Sequence, residues 1–148
     1  MKVVLASDHG GFELASEIEA FLKELDIEVD NIGCGCPDSV DYSDYGIPAA
    51  EKVAEGKYDR GIVICGTGIG MSIAANKVRG IRCALVHDVY TARVTREHND
   101  SNVLAMGARV IGVDLAKEIV KTWIGGQFEG GRHARRIGKV TEYESKSN

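Results

Sequence analysis

The sequence predicts an α/β domain built on a parallel sheet, and three observations carry that prediction. Short apolar runs alternate with longer stretches whose apolar positions recur at helical spacing. The alternation runs through the chain without a linker, internal repeat or low-complexity break. A glycine-rich turn, Cys65-Gly66-Thr67-Gly68-Ile69-Gly70-Met71, joins the apolar run Gly61-Ile62-Val63-Ile64 to a helix-like run from Ser72 to Lys77. Strands separated by helices form βαβ units, and such units give a parallel sheet with right-handed crossovers.

Taken in order, residues 2–7 read as a first strand, and Asp8-His9-Gly10-Gly11 as the turn after it. Phe12, Ala15, Ile18, Phe21, Leu22 and Leu25 mark a helix. Ile27 to Ile32 alternates and reads as a second strand. Gly33 to Ser43 is a loop, and Tyr45 to Glu55 a helix with Pro48 in its first turn. Asp59 to Ile64 is the third strand, Gly68 to Val78 a helix, and Ile81 to Val86 a fourth strand with Cys83 in its core. Asp88 to His98 is a helix and Asn102 to Met106 the fifth strand. Asp114 to Ile124 is a helix with Asp114 as its N-cap. Gly125, Gly126, Gly130 and Gly131 bracket a flexible turn, and His133 to Ser145 forms a last helix.

At 148 residues the chain suits a single domain, with the 44% hydrophobic and 27% charged content of a soluble globular protein. No apolar run approaches the roughly 20 residues of a membrane span. Asp8 comes too early for a signal-peptide core, so the cytoplasm is the expected location. A net charge of −4 argues against nucleic acid as a partner. Cys34 and Cys36 have no second Cys/His pair at zinc-site spacing, so a structural zinc site is not expected. No cofactor is expected.

In open parallel sheets ligands bind at the carboxyl ends of strands. Asp8 and His9, Cys65 to Gly70, His87 and Asp88, and Gly107 to Arg109 should therefore share one edge. His98 and Asn99 precede the fifth strand and reach that edge only if the fourth helix is short or folds back. The glycine turn is neither a dinucleotide motif, which would need glycine at Met71, nor an NTP-binding loop. A small anion remains, held by backbone N–H groups at a helix start. A thiol in the same turn is favoured as thiolate. The rival reading is a buried cysteine in a tight turn. Arg132 and Arg136, four apart on a helix, share a face suited to phosphate or to solvent. His9 and His98 are candidate acid/base groups, and His87 and His133 have weaker claims.

Three blocks together resemble the type B ribose-5-phosphate isomerases, a group that includes galactose-6-phosphate isomerase subunits. They are Asp8-His9-Gly10-Gly11, Cys65 through Lys77, and Glu97-His98-Asn99-Asp100-Ser101-Asn102 through Gly107-Ala108-Arg109. The resemblance implies a Rossmann-like three-layer αβα sandwich with a five-stranded parallel sheet. It implies a homodimer or dimer of dimers with active sites at the subunit interface, where residues 130–148 pack. It implies metal-free interconversion of ribose 5-phosphate and ribulose 5-phosphate. By match, Cys65 moves the proton between C2 and C1, Thr67 assists, and His98 opens the furanose ring. Asp8 and His9 contact substrate. The amides of Gly66, Gly68, Ile69 and Gly70 hold the enediolate beside Asn99. Arg132 and Arg136 take the phosphate, joined by Arg109 from a partner subunit. Met71 stands where one branch of the group carries its catalytic carboxylate, which puts this chain in the cysteine branch. The alternatives are an isomerase of a six-carbon sugar or its 6-phosphate, of allose or allulose type, and a non-catalytic phosphate-binding sensor.

Overall fold

A computed structural model describes residues 1–147 as one five-stranded parallel sheet between two layers of helices. The strands are β1 (Lys2–Ser7), β2 (Glu28–Asn31), β3 (Arg60–Cys65), β4 (Cys83–Leu85) and β5 (Val103–Gly107). The helices are α1 (Phe12–Glu24), α2 (Ser43–Ala54), α3 (Ile69–Asn76), α4 (Val89–Asn99), α5 (Val113–Gly125) and α6 (Arg132–Lys146). The sheet order is β2-β1-β3-β5-β4, and every neighbouring pair is parallel.

Side chains alternate across a strand, so each central strand feeds two cores. Val3, Leu5, Ile62, Ile64, Leu104 and Met106 pack with Ile18, Leu22, Ile119 and Trp123, which belong to α1 and α5. Val4, Ala6, Val63, Cys65 and Ala105 pack with Ala49, Ala50, Met71 and Ala75 of α2 and α3. This explains why β1, β3 and β5 are continuous apolar runs: both faces are covered. Cys65 lies on the α2/α3 face, at the end of its strand.

Trp123 is the largest fully buried side chain, and its Nε1 donates to Ser101 Oγ at 2.9 Å. The Arg60 guanidinium lies 5.5 Å from its ring centre. Burial, and then the charge of Arg96, bring Arg60 down to about 10, so it stays charged at neutral pH. Trp123→Ala should cost about 3–5 kcal/mol through the cavity it leaves. Calorimetry should show Tm falling by roughly 10 °C.

Three expectations need correction. Helix α2 begins two residues early, which makes Pro48 its sixth residue rather than part of its first turn. The helix tolerates it because the bond lost is to the carbonyl of Asp44, an exposed residue that water can serve. Asp114 is not the N-cap of α5: Gly112 holds that position, and Asp114 lies in the first turn, where a carboxylate complements the helix dipole. Strand β4 is only three residues long, and Cys83 is half-buried at its start rather than a core residue. Burial still pushes the Cys83 thiol up to about 12, which leaves it inert.

Candidate active site

The strand order reverses direction between β1 and β3. From β1 the chain moves outward to β2, then returns to the other side of β1 for β3. Such a reversal opens a crevice at the carboxyl ends of the two strands. Asp8 and His9 leave β1 there, and Cys65 ends β3 beside them. Gly107 pairs with Cys65 at the end of β5, so Ala108 and Arg109 join the same edge.

The two turns are built against each other. Asp8 is buried, and its Oδ1 accepts from the N–H groups of Gly10 (2.9 Å) and Gly11 (3.1 Å). A Cβ on Gly10 would stand 3.1 Å from the Gly66 nitrogen, so glycine keeps that amide approachable. The Gly68 N–H donates to Cys65 Sγ at 3.1 Å, a bond that a thiolate accepts better than a thiol. Gly68 has φ of +77°, and a Cβ there would meet the Met106 carbonyl carbon at 2.7 Å. Only glycine lets the chain curl back over its own cysteine. The Ile69 N–H donates to Thr67 Oγ1 at 3.2 Å, which holds the exposed Thr67 hydroxyl over the turn. Among the described residues the Gly66 and Thr67 amides donate to no protein atom.

Arg109 stands over this turn. Its N–H donates to the Gly66 carbonyl at 2.9 Å, and a Cβ on Gly66 would lie 3.0 Å from its Nη1. The guanidinium thus rests on the glycine turn of its own chain, whereas the resemblance had it arriving from a partner. His9 Nδ1 accepts from the Val40 N–H at 3.1 Å, which leaves Nε2 as the donor. His9 and Arg109 line one groove of about 750 Å³ together with Glu13, Pro37 and Val113. His87 sits at this edge but its Nε2 is occupied: it accepts from the Gly107 N–H at 2.9 Å and braces the end of β5.

His98 and Asn99 do not reach this edge. Helix α4 runs antiparallel to the strands and delivers both to the amino ends. There Arg82, just before β4, donates through Nε to the Asn99 carbonyl at 3.1 Å. Eleven residues of helix at about 1.5 Å each put His98 on the order of 15 Å from the Cys65 edge. The turn carrying them is braced from below. Arg96 is buried, and its Nη1 donates to Asp100 Oδ1 at 2.9 Å and to the Ser101 carbonyl at 2.5 Å. Asp100 takes the left-handed conformation that ends α4. His98, Asn99, His133 and Arg136 line a second cavity of about 300 Å³. Arg132, at the start of α6, is exposed just outside it.

Cysteine, histidine and basic groups thus fall into two halves on opposite edges of one sheet. Residues 3–140 match the ribose/galactose isomerase family. This chain belongs to that family. It is 61% identical to a putative sugar phosphate isomerase of Bacillus subtilis, YwlF, and 48% identical to ribose-5-phosphate isomerase B of Escherichia coli. Both matches cover 99% of this chain and 99% of the relative. A D-erythrulose-4-phosphate isomerase of Pectobacterium atrosepticum is 39% identical, over 97% of this chain and 95% of that protein. The ribose-5-phosphate isomerase B structure from Clostridium thermocellum superposes with a TM-score of 0.98 at 55% identity, and each chain is covered in full.

Two features of the candidate site escaped sequence reasoning. Tyr42 covers the glycine turn, since a Cβ on Gly70 would lie 2.8 Å from its ring. Nothing in the local pattern marks it, because the 33–43 loop folds over the edge only in three dimensions. The second is the stack of His98 on His133, with ring centres 4.1 Å apart and planes within 7°. Donor atoms of His98, Glu129 and His133 lie within 4.8 Å of one another, as metal ligands would. Parallel stacked imidazoles cannot both aim an in-plane lone pair at one ion, so the arrangement as built does not suit a metal.

Proposed function

We propose that this chain interconverts D-ribose 5-phosphate and D-ribulose 5-phosphate, with Cys65 as the base. The observation that carries the reading is the glycine turn itself: a thiol held by one amide, with two further amides left to bind an anion. An aldose–ketose isomerisation needs one base near two adjacent carbons and donors for the oxygen that becomes negative. Cys65 takes the C2 proton as the carbonyl at C1 accepts the electron pair. The cis-enediolate that forms is held first by the uncommitted amides of Gly66 and Thr67, with those of Gly68, Ile69 and Gly70 beside them in the turn. Cys65 then returns the proton to C1 while the O2 proton passes to O1, with Thr67 assisting. Each amide donor of this kind is worth about 2.7–4 kcal/mol of barrier. Asp8 and His9 bind the sugar, and Arg109 acts from the same chain.

The remaining groups come from a second copy. His98 opens the furanose by giving a proton to the ring oxygen as its bond to C1 breaks, and the anomeric hydroxyl proton leaves to water. Asn99 lies beside the enediolate, and Arg132 and Arg136 hold the phosphate, which supplies binding energy remote from the chemistry. The two-edge arrangement supports a homodimer, or a dimer of dimers, in which each site takes its cysteine half from one chain and its histidine half from another. Helix α6 supports the same reading: His133 is its one buried residue, and Val140 and Tyr143 are exposed apolar groups that a partner would cover. We place the chain in the cytoplasm, where its four unpaired cysteines stay reduced. The five-carbon phosphate is preferred because the ribose-5-phosphate relatives outrank the erythrulose relative in identity.

Incubation with ribose 5-phosphate in heavy water tests the assignment. NMR should show ribulose 5-phosphate appearing with solvent deuterium incorporated. Binding of ribose 5-phosphate with neither ketose nor deuterium would leave only a sensor.

A further inference from the structure

We propose that Glu129 is a positioning residue for His98, acting together with the buried ring of His133. The inference rests on the ring-opening role of His98 proposed above.

Glu129 lies between α5 and α6, yet its backbone is fastened to α4. Its N–H donates to the carbonyl of Glu97, the residue before His98, at 3.0 Å. Gly130 and Gly131 both take positive φ, +69° and +56°, which non-glycine residues rarely adopt. The double glycine is therefore more than a flexible turn. It reverses the chain sharply enough to bring the first turn of α6 back over Glu129. The Glu129 carboxylate then faces two imidazoles: Oε2 is 3.3 Å from His133 Nε2 and 4.0 Å from His98 Nε2. His133 is buried, and its ring lies flat against that of His98.

Each part does something different to His98. The His133 ring fixes its plane. The carboxylate balances one positive charge on the pair, and two imidazolium rings at 4.1 Å would repel. The pair therefore carries one extra proton rather than two: His98 spends it on the ring oxygen and regains one from water, which reaches its half-exposed ring. Arg136, which lines the same cavity, adds positive charge that makes the carboxylate more necessary. The remaining face of His98 is half exposed and open to a sugar.

The test separates ring opening from proton transfer at carbon. Ribulose 5-phosphate cannot close a furanose, because the oxygen it would need carries the phosphate. Exchange of its C1 hydrogen with heavy water therefore requires Cys65 but no ring chemistry. For Glu129→Gln, kcat for isomerisation starting from ribose 5-phosphate should fall about tenfold or more, with KM unchanged. Its C1 exchange rate on ribulose 5-phosphate should stay within about twofold of the parent. His98→Ala should show the same split more strongly. An equal fall in both rates for Glu129→Gln, or no fall in either, overturns the proposal. Absence of C1 exchange in the unsubstituted protein would instead overturn the isomerase reading on which it rests.

Discussion

Replacing Cys65 with alanine should lower ketose formation from ribose 5-phosphate by roughly 10²–10⁴-fold, the usual worth of a positioned proton-transfer group. Deuterium exchange at C2 of ribose 5-phosphate should fall with it. The change removes one sulfur atom from the end of β3, and the backbone of the glycine turn does not depend on that atom alone. The N–H groups of Ala108 and Arg109 still donate to the carbonyls of Cys65 and Gly66, each at 2.9 Å, and that of Ser72 to the Gly68 carbonyl at 3.0 Å. Ribose 5-phosphate should therefore still bind, as calorimetric titration would show. Cys65→Ser keeps an acceptor for the Gly68 N–H but supplies a much poorer base, so it should resemble the alanine variant in rate. Parent-like exchange by Cys65→Ala would end the assignment of Cys65 as base.

What could be read from the sequence was what one strand and the turn after it dictate. The apolar runs of β1, β3 and β5, alternating with helical stretches, announced a parallel sheet, and the rule that ligands gather at carboxyl ends put Asp8, Cys65 and Arg109 on one edge. The structure brings those residues together because β1, β3 and β5 are neighbours, a fact of strand order that spacing does not encode. Boundaries moved where local signals conflicted: Pro48 looked like a helix start, but the turn at Tyr42 begins the helix earlier. Asp114 looked like a cap, but the chain leaves its extended conformation at Gly112. His98 was the question that sequence left open. Helix α4 runs unbroken from Val89 to Asn99 and ends in a left-handed Asp100, so His98 stays at the opposite edge. Glu129 carried no sequence signal, because its meaning depends on a double-glycine reversal that folds it against α4.

Subunit mixing offers the sharpest test of the shared site. Neither the Cys65→Ala nor the His98→Ala variant alone should turn over ribose 5-phosphate at more than a small fraction of the parent rate. If each site takes Cys65 from one chain and His98 from the other, a mixed dimer contains one site that lacks both groups and one that keeps both. Random re-pairing of equal amounts makes half of the dimers mixed, so the mixture should recover about a quarter of parent activity through a two-fold symmetric interface. Restoration should require conditions that let subunits exchange, and it should plateau rather than rise with added variant. A site contained within one chain predicts no recovery at any ratio. The separation of about 15 Å between His98 and the Cys65 edge makes that outcome incompatible with both residues serving one sugar. Recovery near a quarter would therefore identify the two edges of this sheet as halves of a single active site, completed only when a second copy turns its amino edge toward the carboxyl edge of the first.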